Sequence, residues 1–539
     1  MKRGNGSAKP LNVVLTLLTL FVLTHTTSAR FTEPQPGEIY RDYYKILDPG
    51  SLKDWRVTDP NAPNSGARAY LPNSILSLNI ADLQGAVRAE AIIDQWGGHP
   101  GTTTKRMRFN NNAWIPIQEL ATTPTSGECY NQQYNLTIDV PLAHLIQGNN
   151  LIEGTSGGQT CFDFGWGQWG WYGILVRVYF SPSKTHATGQ ITSHTTGGTF
   201  GDNPTIAASV QSSTGISRVE FLAHYEGYDV DGDGIYRDWQ RHYHRGWDAE
   251  VRAKGIVGTA TASPWQVVWN TDWVPNQPTR GVKLVARIRN NSGIWFVTNI
   301  VDSLTFLRTN GSVKLYKPID VSESFWVRDN NTKSCTIPIP STDTLTFATA
   351  AKLHLATWNC VDCQGNGTHW KRINGWNAPI VGENHYYAYN EITVPTTALV
   401  SGNNIFSFFS GSIHHGVEIM WPGPAISVRY SRVTSASESV VPSEFTLGQN
   451  YPNPFNPATT INYSLPEQSA VTLRVLDLLG REVTTLTDAN QQAGYFTARW
   501  NGTNTSGQQM SSGVYIYRLD AKNSAGKAYS LTKRLLLIK

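Results

Sequence analysis

Three aspartates at alternate positions form the sharpest chemical pattern in the sequence. They are Asp229, Asp231 and Asp233, and Gly234 follows them. Carboxylate oxygens at this spacing, with a glycine at the sixth position for a tight turn, can wrap a Ca²⁺ ion. The likeness to an EF-hand loop ends there, because Gln240 stands at the twelfth position, where that loop has a bidentate glutamate. We therefore predict a structural calcium site that is not an EF-hand.

Two further carboxylates lie close enough in sequence to complete the calcium shell. Glu226 precedes the three aspartates and Asp238 follows them. The alternative interpretation of the whole segment is a solvated acidic turn without a bound ion.

Tryptophan and histidine residues accumulate in glycine-rich stretches that are typical of loops. Aromatic rings that lie open at a loop can stack on the apolar faces of a sugar, although ordinary loop packing uses the same residues. The predicted ligand-binding residues are Trp96, His99, Trp166, Trp169, Trp370, Trp376 and Trp421.

A histidine and glutamate group in the second half of the chain would carry catalysis if the protein is an enzyme. Its members are His369, His415 and Glu418. On a strand, the spacing of His415 and Glu418 puts them on opposite faces, which argues against a shared metal. A histidine set could serve a β-elimination lyase, and a carboxylate pair a glycosidase. No Asp/Glu pair, Ser-His-Asp order or phosphate-binding loop stands out.

The five cysteines lie in the part of the chain that remains after export, where disulfides are permitted. Cys129 and Cys161 are the natural pair in the first half. The remaining three are Cys335, Cys360 and Cys363. Cys360-x-x-Cys363 fits a redox or metal pair, or a local disulfide, or a disulfide that involves Cys335.

An internal repeat identifies the elements that must position these side chains. Ile138–Asn150 (IDVPLAHLIQGNN) and Ile392–Asn404 (ITVPTTALVSGNN) align without a gap and are identical at seven of thirteen positions. Such self-similarity indicates that one domain type occurs twice. Each stretch reads as a strand, a proline that ends its pairing, a turn with one buried leucine, and a Gly-Asn-Asn reversal into the next strand.

Strand-like segments surround the repeat in the same order in both copies. VRAEAII at 87–93, for example, corresponds to KLHLATW at 352–358. Short strands with Gly, Asn and Pro turns predict an all-β fold, with jelly-roll sandwiches at residues 30–180 and 309–430. The layout and the V-P-x-x-x-L-x-x-G-N-N turn resemble galactose-binding-like jelly rolls. That resemblance implies a module of the kind common in secreted glycan-active proteins.

The segment between the two copies, residues 181–308, shows alternating strands such as Val219–Tyr225 and Val282–Ile288. Their spacing predicts an immunoglobulin-like or fibronectin-like sandwich, and the three aspartates fall inside it.

The last part of the chain, residues 444–539, follows a linker at 431–443 that is rich in Ser, Val and Thr. Four of its segments are LGQNYPNPFNP at 447–457, TINYSLP at 460–466, VLDLLGREV at 475–483 and SGVYIYRL at 512–519. Together they resemble the C-terminal sorting domain of the type IX (Por) secretion system. The resemblance implies a small seven-stranded sandwich that the outer-membrane export machinery recognises, and a cargo that is released or tethered to the cell surface.

The start of the chain and its charge agree with export. A basic segment with Lys2, Arg3 and Lys9 precedes the apolar run Leu11–Leu23, which predicts a signal peptide at residues 1–29. The apolar run is too short for a membrane span. The net charge of +4 and the pI of about 8.6 are too mild to favour a nucleic-acid partner.

The leading functional hypothesis is a non-catalytic protein that is secreted or attached to the outer membrane and binds a polysaccharide or surface glycan. Duplication favours binding, because two sites on one polymer raise avidity. The rival hypotheses are a polysaccharide lyase or glycoside hydrolase with its site on the second jelly roll, and a structural subunit of a surface layer or appendage.

Overall fold

A computed structural model describes most of the chain after residue 34, and it is almost entirely β-structure. The described residues are 35–46, 55–96, 99–118, 129–132, 134–162, 164–245, 251–309, 311–360, 365–382, 384–413, 416–431, 445–448, 450, 453–456, 458–523 and 526–538. The all-β, multidomain fold predicted from the sequence is confirmed. The predicted signal peptide and all but Ser431 of the predicted linker lie outside these residues.

The first jelly roll packs a larger and a smaller sheet around one hydrophobic core. Its strands are β1 (Ile39–Ile46), β2 (Trp55–Thr58), β3 (Leu76–Ile80), β4 (Ala86–Trp96), β5 (Arg106–Phe109), β6 (Ile115–Pro116), β7 (Asn135–Asp139), β8 (Gly148–Thr155) and β9 (Gln168–Phe180). A short α-helix, Ser65–Arg68, and a 3-10 turn, Leu142–His144, join them. The larger sheet contains β1, β2, β4, β7 and β9, and the smaller one has the order β3-β8-β5-β6.

The immunoglobulin-like sandwich follows, with its own core. Its strands are β10 (Thr188–Ile191), β11 (Thr199–Phe200), β12 (Thr205–Gln211), β13 (Ile216–Glu226), β14 (Arg237–Trp239), β15 (His242–Arg245), β16 (Val251–Lys254), β17 (Gly258–Ala260), β18 (Gln266–Val268), β19 (Val282–Asn290), β20 (Trp295–Val297) and β21 (Val301–Phe306). Strand β20 pairs with both β19 and β1, so one sheet continues from this sandwich into the first jelly roll.

A buried ionic cluster lies where these two domains join. Arg177 on β9 and Arg287 on β19 both donate hydrogen bonds to the Tyr243 hydroxyl, over 3.1 and 2.5 Å. Asp42 neutralises the first arginine and Glu220 the second. Buried charges are tolerated only when they are paired in this way, so the cluster fixes how the two domains fit together.

The second jelly roll repeats the element order of the first. Its strands are β22 (Ser312–Tyr316), β23 (Trp326–Val327), β24 (Asn331–Ile339), β25 (Ala348–Cys360), β26 (Gly365–Ile373), β27 (Trp376–Asn377), β28 (Tyr387–Val394), β29 (Gly402–Ser412), β30 (Gly416–Ile419) and β31 (Ala425–Tyr430). The 3-10 turns are Leu345–Phe347 and Thr396–Ala398. The last two strands together replace the continuous β9, and a loop at 420–424 interrupts them.

The repeated Gly-Asn-Asn turn is held by one hydrogen-bonded asparagine pair in each copy, whose member from the turn, Asn150 or Asn404, is buried. The Asn150 side-chain oxygen accepts hydrogen bonds from the backbone N–H four residues earlier (2.9 Å) and from the Asn110 amide (2.7 Å). Asn404 accepts the same two bonds, the second from Asn374, at 2.8 Å each. Asn110 and Asn374 both have positive φ, which asparagine tolerates better than most residues. The repeat is therefore a scaffold for the jelly rolls.

Seven strands form the C-terminal sandwich within the described part of residues 444–539. They are β32 (Thr446–Leu447), β33 (Thr459–Leu465), β34 (Ser469–Leu476), β35 (Glu482–Gln491), β36 (Gly494–Trp500), β37 (Gly513–Asn523) and β38 (Ala528–Leu537). A sheet of order β32-β33-β36 faces one of order β35-β34-β37-β38 around a separate core.

Candidate functional site

The three aspartates predicted to bind calcium are brought together in the interior. Asp229, Asp231 and Asp233 are 3, 6 and 3 % exposed, and one carboxylate oxygen from each lies within 4.8 Å of the others. The segment is therefore not the solvated turn that was the alternative interpretation. A group of three converging carboxylate oxygens can hold a hard divalent cation.

Backbone hydrogen bonds fix the shape of the aspartate loop. Asp229 accepts from the backbone N–H groups of Gly232 and Gly234, at 2.8 and 2.6 Å, and Asp233 accepts from Ile235 at 2.7 Å. Both glycines have positive φ, which permits the tight turn. Arg241 forms an ion pair with Asp231 at 2.5 Å.

Burial and mutual repulsion make the three carboxylates poor anions when no cation is bound. Burial, reinforced by the charge of Asp233, raises the pKa of Asp229 to about 7. Burial and the charge of Asp231 raise the pKa of Asp233 to about 7 as well. The pKa of Asp231 is also raised by burial, although Arg241 opposes the shift. A bound divalent cation would remove the repulsion that causes part of these shifts.

The residues expected to complete the calcium shell are engaged elsewhere. Glu226 forms ion pairs with Lys317 at 2.7 Å and Arg237 at 3.5 Å. Asp238 accepts a hydrogen bond from the backbone N–H of Trp239. Asp238 nevertheless lies close enough for its charge to raise the pKa of Asp231 and of Asp233, so further ligands for a cation would be Asp238, backbone carbonyls or water.

The segment that carries the aspartates belongs to the immunoglobulin-like sandwich and contacts both jelly rolls. It runs from the end of β13 to β17 and includes the hairpin β15–β16. Its Tyr228 hydroxyl donates to the Gly423 carbonyl of the second jelly roll at 2.9 Å. The Asn135 amide of the first jelly roll donates to the Tyr243 carbonyl at 2.6 Å. The aspartate loop thus lies at a three-domain junction.

The aromatic residues predicted to bind ligand in the first copy differ in exposure. The rings of His99 and Trp166 stack at 4.7 Å, and Trp166 is half-buried. Trp169, in contrast, is fully buried and belongs to the hydrophobic core, because it points inward from β9. It does not present a ring to a ligand as expected. The side chain of Trp96 lies outside the described residues.

The predicted aromatic residues of the second copy lie on different surfaces. Trp370 stacks on Phe409 at 5.5 Å, and the Arg372 guanidinium covers it at 3.8 Å. Trp376 packs against the core. Trp421 lies in the loop between β30 and β31, where its ring contacts Tyr130 of the first copy at 5.0 Å.

The residues proposed for catalysis do not come together among the described residues. His369 lies on β26 in the smaller sheet, whereas Glu418 lies on β30 in the larger one. His415 lies outside the described residues. Burial raises the pKa of Glu418 to about 7, against the opposing effects of a hydrogen bond from Asn131 and the charge of Arg328.

The disulfide predicted in the first copy is present, with a sequence separation of 32 residues between Cys129 and Cys161. Cys335 is a buried free thiol, so a disulfide that involves it is excluded. Cys360 is disulfide-bonded, and its partner lies outside the described residues.

The disulfide connects two segments that touch the second jelly roll, and this contact was not predicted. We call it the seam and define it by residues 129–131, 161–162 and 164 of the first copy and residues 324–328 and 418–421 of the second. Asn131 donates to Glu418 at 2.8 Å and accepts from the Trp421 backbone at 2.7 Å. The sequence signal for the seam was weak, because its residues come from loops and short strands that are far apart in the chain and that contact the other copy.

Comparisons with known proteins identify a family for the C-terminal sandwich alone. The model of the FlgD Ig-like domain matches residues 456–525. No curated protein matches the chain. Among the described residues, no helix combines the length and apolar character that a membrane crossing requires.

Solved structures resemble the chain only distantly. It is similar to dimeric latent PorU from Porphyromonas gingivalis, at 12% identity over 67% of this chain and 35% of that one, with a TM-score of 0.16. It is also similar to a β-porphyranase of glycoside hydrolase family 86 from Bacteroides plebeius, at 11% identity over 48% and 39%, with a TM-score of 0.19. A third is the Bacteroides ovatus mixed-linkage glucan utilization locus protein SGBP-B in complex with a heptasaccharide, at 12% identity over 65% and 70%, with a TM-score of 0.16. The chain spans about a third of the length of PorU.

Proposed function

We propose that the protein is an exported, non-catalytic protein of the cell surface that binds carbohydrate through its jelly rolls. The observation that carries the proposal is the open aromatic surface at the loops of the first copy. Phe162 and Phe164 are each 36 % exposed, and their rings lie 6.0 Å apart. Rings that remain this accessible can stack on the apolar face of a sugar.

A polysaccharide-degrading enzyme remains the second candidate, because Glu418 has the raised pKa of a general acid. Glycosidases place a second carboxyl group within about 5–10 Å of the first. The cross-strand neighbours of Glu418, however, are Trp326 and Trp358, which supply no carboxylate. Binding therefore has better support than hydrolysis.

A polysaccharide panel separates the two candidates. The full exported chain is mixed with laminarin, xylan, mixed-linkage β-glucan, agarose oligosaccharides and alginate. Affinity electrophoresis measures binding, and assays for reducing ends and for unsaturated products measure cleavage. We expect retardation by at least one polymer without products. Product formation would establish the enzyme, and retardation by none would reject carbohydrate binding.

We further propose that the aspartate loop binds a structural Ca²⁺ ion. The convergence of three buried carboxylates with one paired arginine supports the proposal. The ion would hold the segment that contacts both jelly rolls. Calorimetric titration of chelator-treated protein with CaCl₂ tests the proposal, and a flat titration would reject it.

We also propose that residues 444–539 direct export by the type IX machinery. The seven-stranded sandwich supports the proposal, as does an exposed apolar turn at Leu478 and Leu479, which are 64 and 78 % exposed. Deletion of this domain should leave the remainder in the periplasm. Surface delivery of the truncated chain would contradict the proposal.

A further inference from the structure

We propose that the two jelly rolls form one composite glycan-binding site at the seam, so that each chain carries a single site to which both copies contribute. The inference rests on the proposed carbohydrate binding and goes beyond it. Duplication of the module would by itself favour two independent sites and avidity. The contacts between the copies favour one shared surface instead.

The second copy supplies one face of the site, which we call the floor and define by Trp326 and Glu418. Strands β23 and β30 place Trp326 opposite Glu418 and Val327 opposite Val417. Val327 and Val417 belong to the core. Because cross-strand partners point to the same side of a sheet, Trp326 and Glu418 both lie on the outer face, toward the first copy.

The first copy supplies a second face beside the floor, which we call the wall and define by Phe162 and Phe164. Phe162 meets the Trp326 ring edge-to-face at 6.3 Å. The guanidinium carbon of Arg328 lies 5.4 Å from the Phe164 ring and 4.9 Å from the Trp326 ring. One aromatic residue of each copy, Phe164 and Trp326, thus flanks a cationic hydrogen-bond donor, and Phe162 lies beside Trp326. Sugar-binding sites combine the same two elements, rings for the apolar face and donors for the hydroxyl groups.

The disulfide and the backbone hold the wall in place. The Cys129–Cys161 bond ties the segment that ends at Asn131 to the loop that contains Phe162 and Phe164. The Ser324 backbone N–H donates to the Cys129 carbonyl at 2.9 Å. The two copies are therefore anchored to each other beside the aromatic floor.

Two buried polar atoms of the seam have no hydrogen-bond partner among the described residues. Asn131 is 4 % exposed, and its side-chain oxygen has no hydrogen-bond partner among the described residues. The indole N–H of Trp421 likewise has none. Buried polar atoms without partners are rare and require an explanation. A sugar hydroxyl can donate to the Asn131 oxygen, and a sugar oxygen can accept from the Trp421 N–H.

The composite surface therefore selects a polysaccharide whose sugar rings expose apolar C–H faces and whose hydroxyl groups reach between the copies. Both the rings and the polar groups are divided between the two copies, so each copy provides only part of the surface.

Isothermal titration of the full chain with an oligosaccharide tests the proposal. The probe is taken from the polymer of the panel above that retards the wild-type protein most strongly. The variants are Trp326→Ala in the second copy and Phe164→Ala in the first. Trp114→Ala is the matched control, because Trp114 immediately precedes β6 of the smaller sheet of the first copy and its ring lies 4.5 Å from the Arg108 guanidinium carbon, outside the seam. Trp326→Leu and Phe164→Leu keep apolar volume if the alanine variants fail to fold.

We expect one oligosaccharide per chain, a loss of affinity of about tenfold or more in both seam variants, and less than about a twofold change in Trp114→Ala. Two equivalent sites per chain, or unchanged affinity in both seam variants, would overturn the composite site while carbohydrate binding stands. A wild-type protein that binds no member of the panel would instead reject the proposed function.

Discussion

The Asn131 amide donates a 2.8 Å hydrogen bond to the Glu418 carboxyl group across 287 residues of sequence. One residue belongs to each copy of the duplicated module, so this contact links the two jelly rolls directly. It also places a titratable group inside the interface, which makes the stability of the seam depend on pH.

The pH dependence follows from the raised pKa of Glu418. The folded protein holds the proton up to a pH of about 7, whereas the unfolded chain releases it near pH 4.5. The contribution of protonated Glu418 to the free energy of unfolding is thus fully present below about pH 4.5, and it is lost as the pH rises through about 7. We expect Glu418→Gln to remove this loss. The measurement is the free energy of unfolding of both proteins between pH 4.5 and 8 in saturating calcium. Parallel pH profiles would show that Glu418 is not held neutral.

The Cys129–Cys161 disulfide should contribute about 3 kcal/mol to stability, because it closes a loop with a separation of 32 residues. The Cys129→Ser, Cys161→Ser double variant should therefore unfold at lower denaturant concentration. It should also weaken oligosaccharide binding, since the bond connects the segment that ends at Asn131 to the loop that contains Phe162 and Phe164. Cys335→Ala removes a thiol that forms no disulfide and should leave binding unchanged. Equal binding by the double variant and the wild type would contradict the role assigned to the disulfide.

The buried asparagine of each Gly-Asn-Asn turn should be essential for its jelly roll. Asn150→Ala removes hydrogen bonds to the backbone and to Asn110, and it leaves buried groups unpaired. We expect a loss of about 2–4 kcal/mol in the free energy of unfolding. Asn149→Ala changes the exposed neighbour and should alter the free energy by less than about 0.5 kcal/mol. Similar effects of the two substitutions would show that the pair does not hold the turn.

Calcium should reverse the effect of one substitution in the aspartate loop. Without metal, Asp233→Asn removes a repulsive buried charge, so the variant should melt at a higher temperature than the wild type. With calcium, the wild type should gain stability and the variant should gain little. Thermal melts in EDTA, CaCl₂ and MgCl₂ measure these differences. An equal calcium response in both proteins would argue against the site.

The sequence was most informative where one segment fixes its own structure. The duplicated turn predicted two related sandwiches because Asn150 and Asn404 satisfy the same local hydrogen bonds. The aspartate pattern predicted a cluster because alternate residues of one loop converge. The alternation of apolar and polar residues did not reveal that Trp169 is a core residue. Strand β9 is buried along its whole length, so its two faces do not differ in exposure.

The seam could not be predicted from either copy alone. Asn131 and Phe162 lie in loops and Trp326 lies on the short strand β23, and the neighbours that define the seam come from the other copy. Such contacts depend on how the immunoglobulin-like domain orients the two jelly rolls. That orientation depends on the pairing of β1 with β20 and on the segment around Tyr228, which local periodicity does not encode.

The number of oligosaccharides bound per chain tests the central claim most directly. Calorimetric titration of the wild-type protein should give a single binding event with a stoichiometry of one and no cleavage product. Substitution of either Trp326 or Phe164 should abolish that event or weaken it strongly. A stoichiometry of two that survives both substitutions would contradict the composite site.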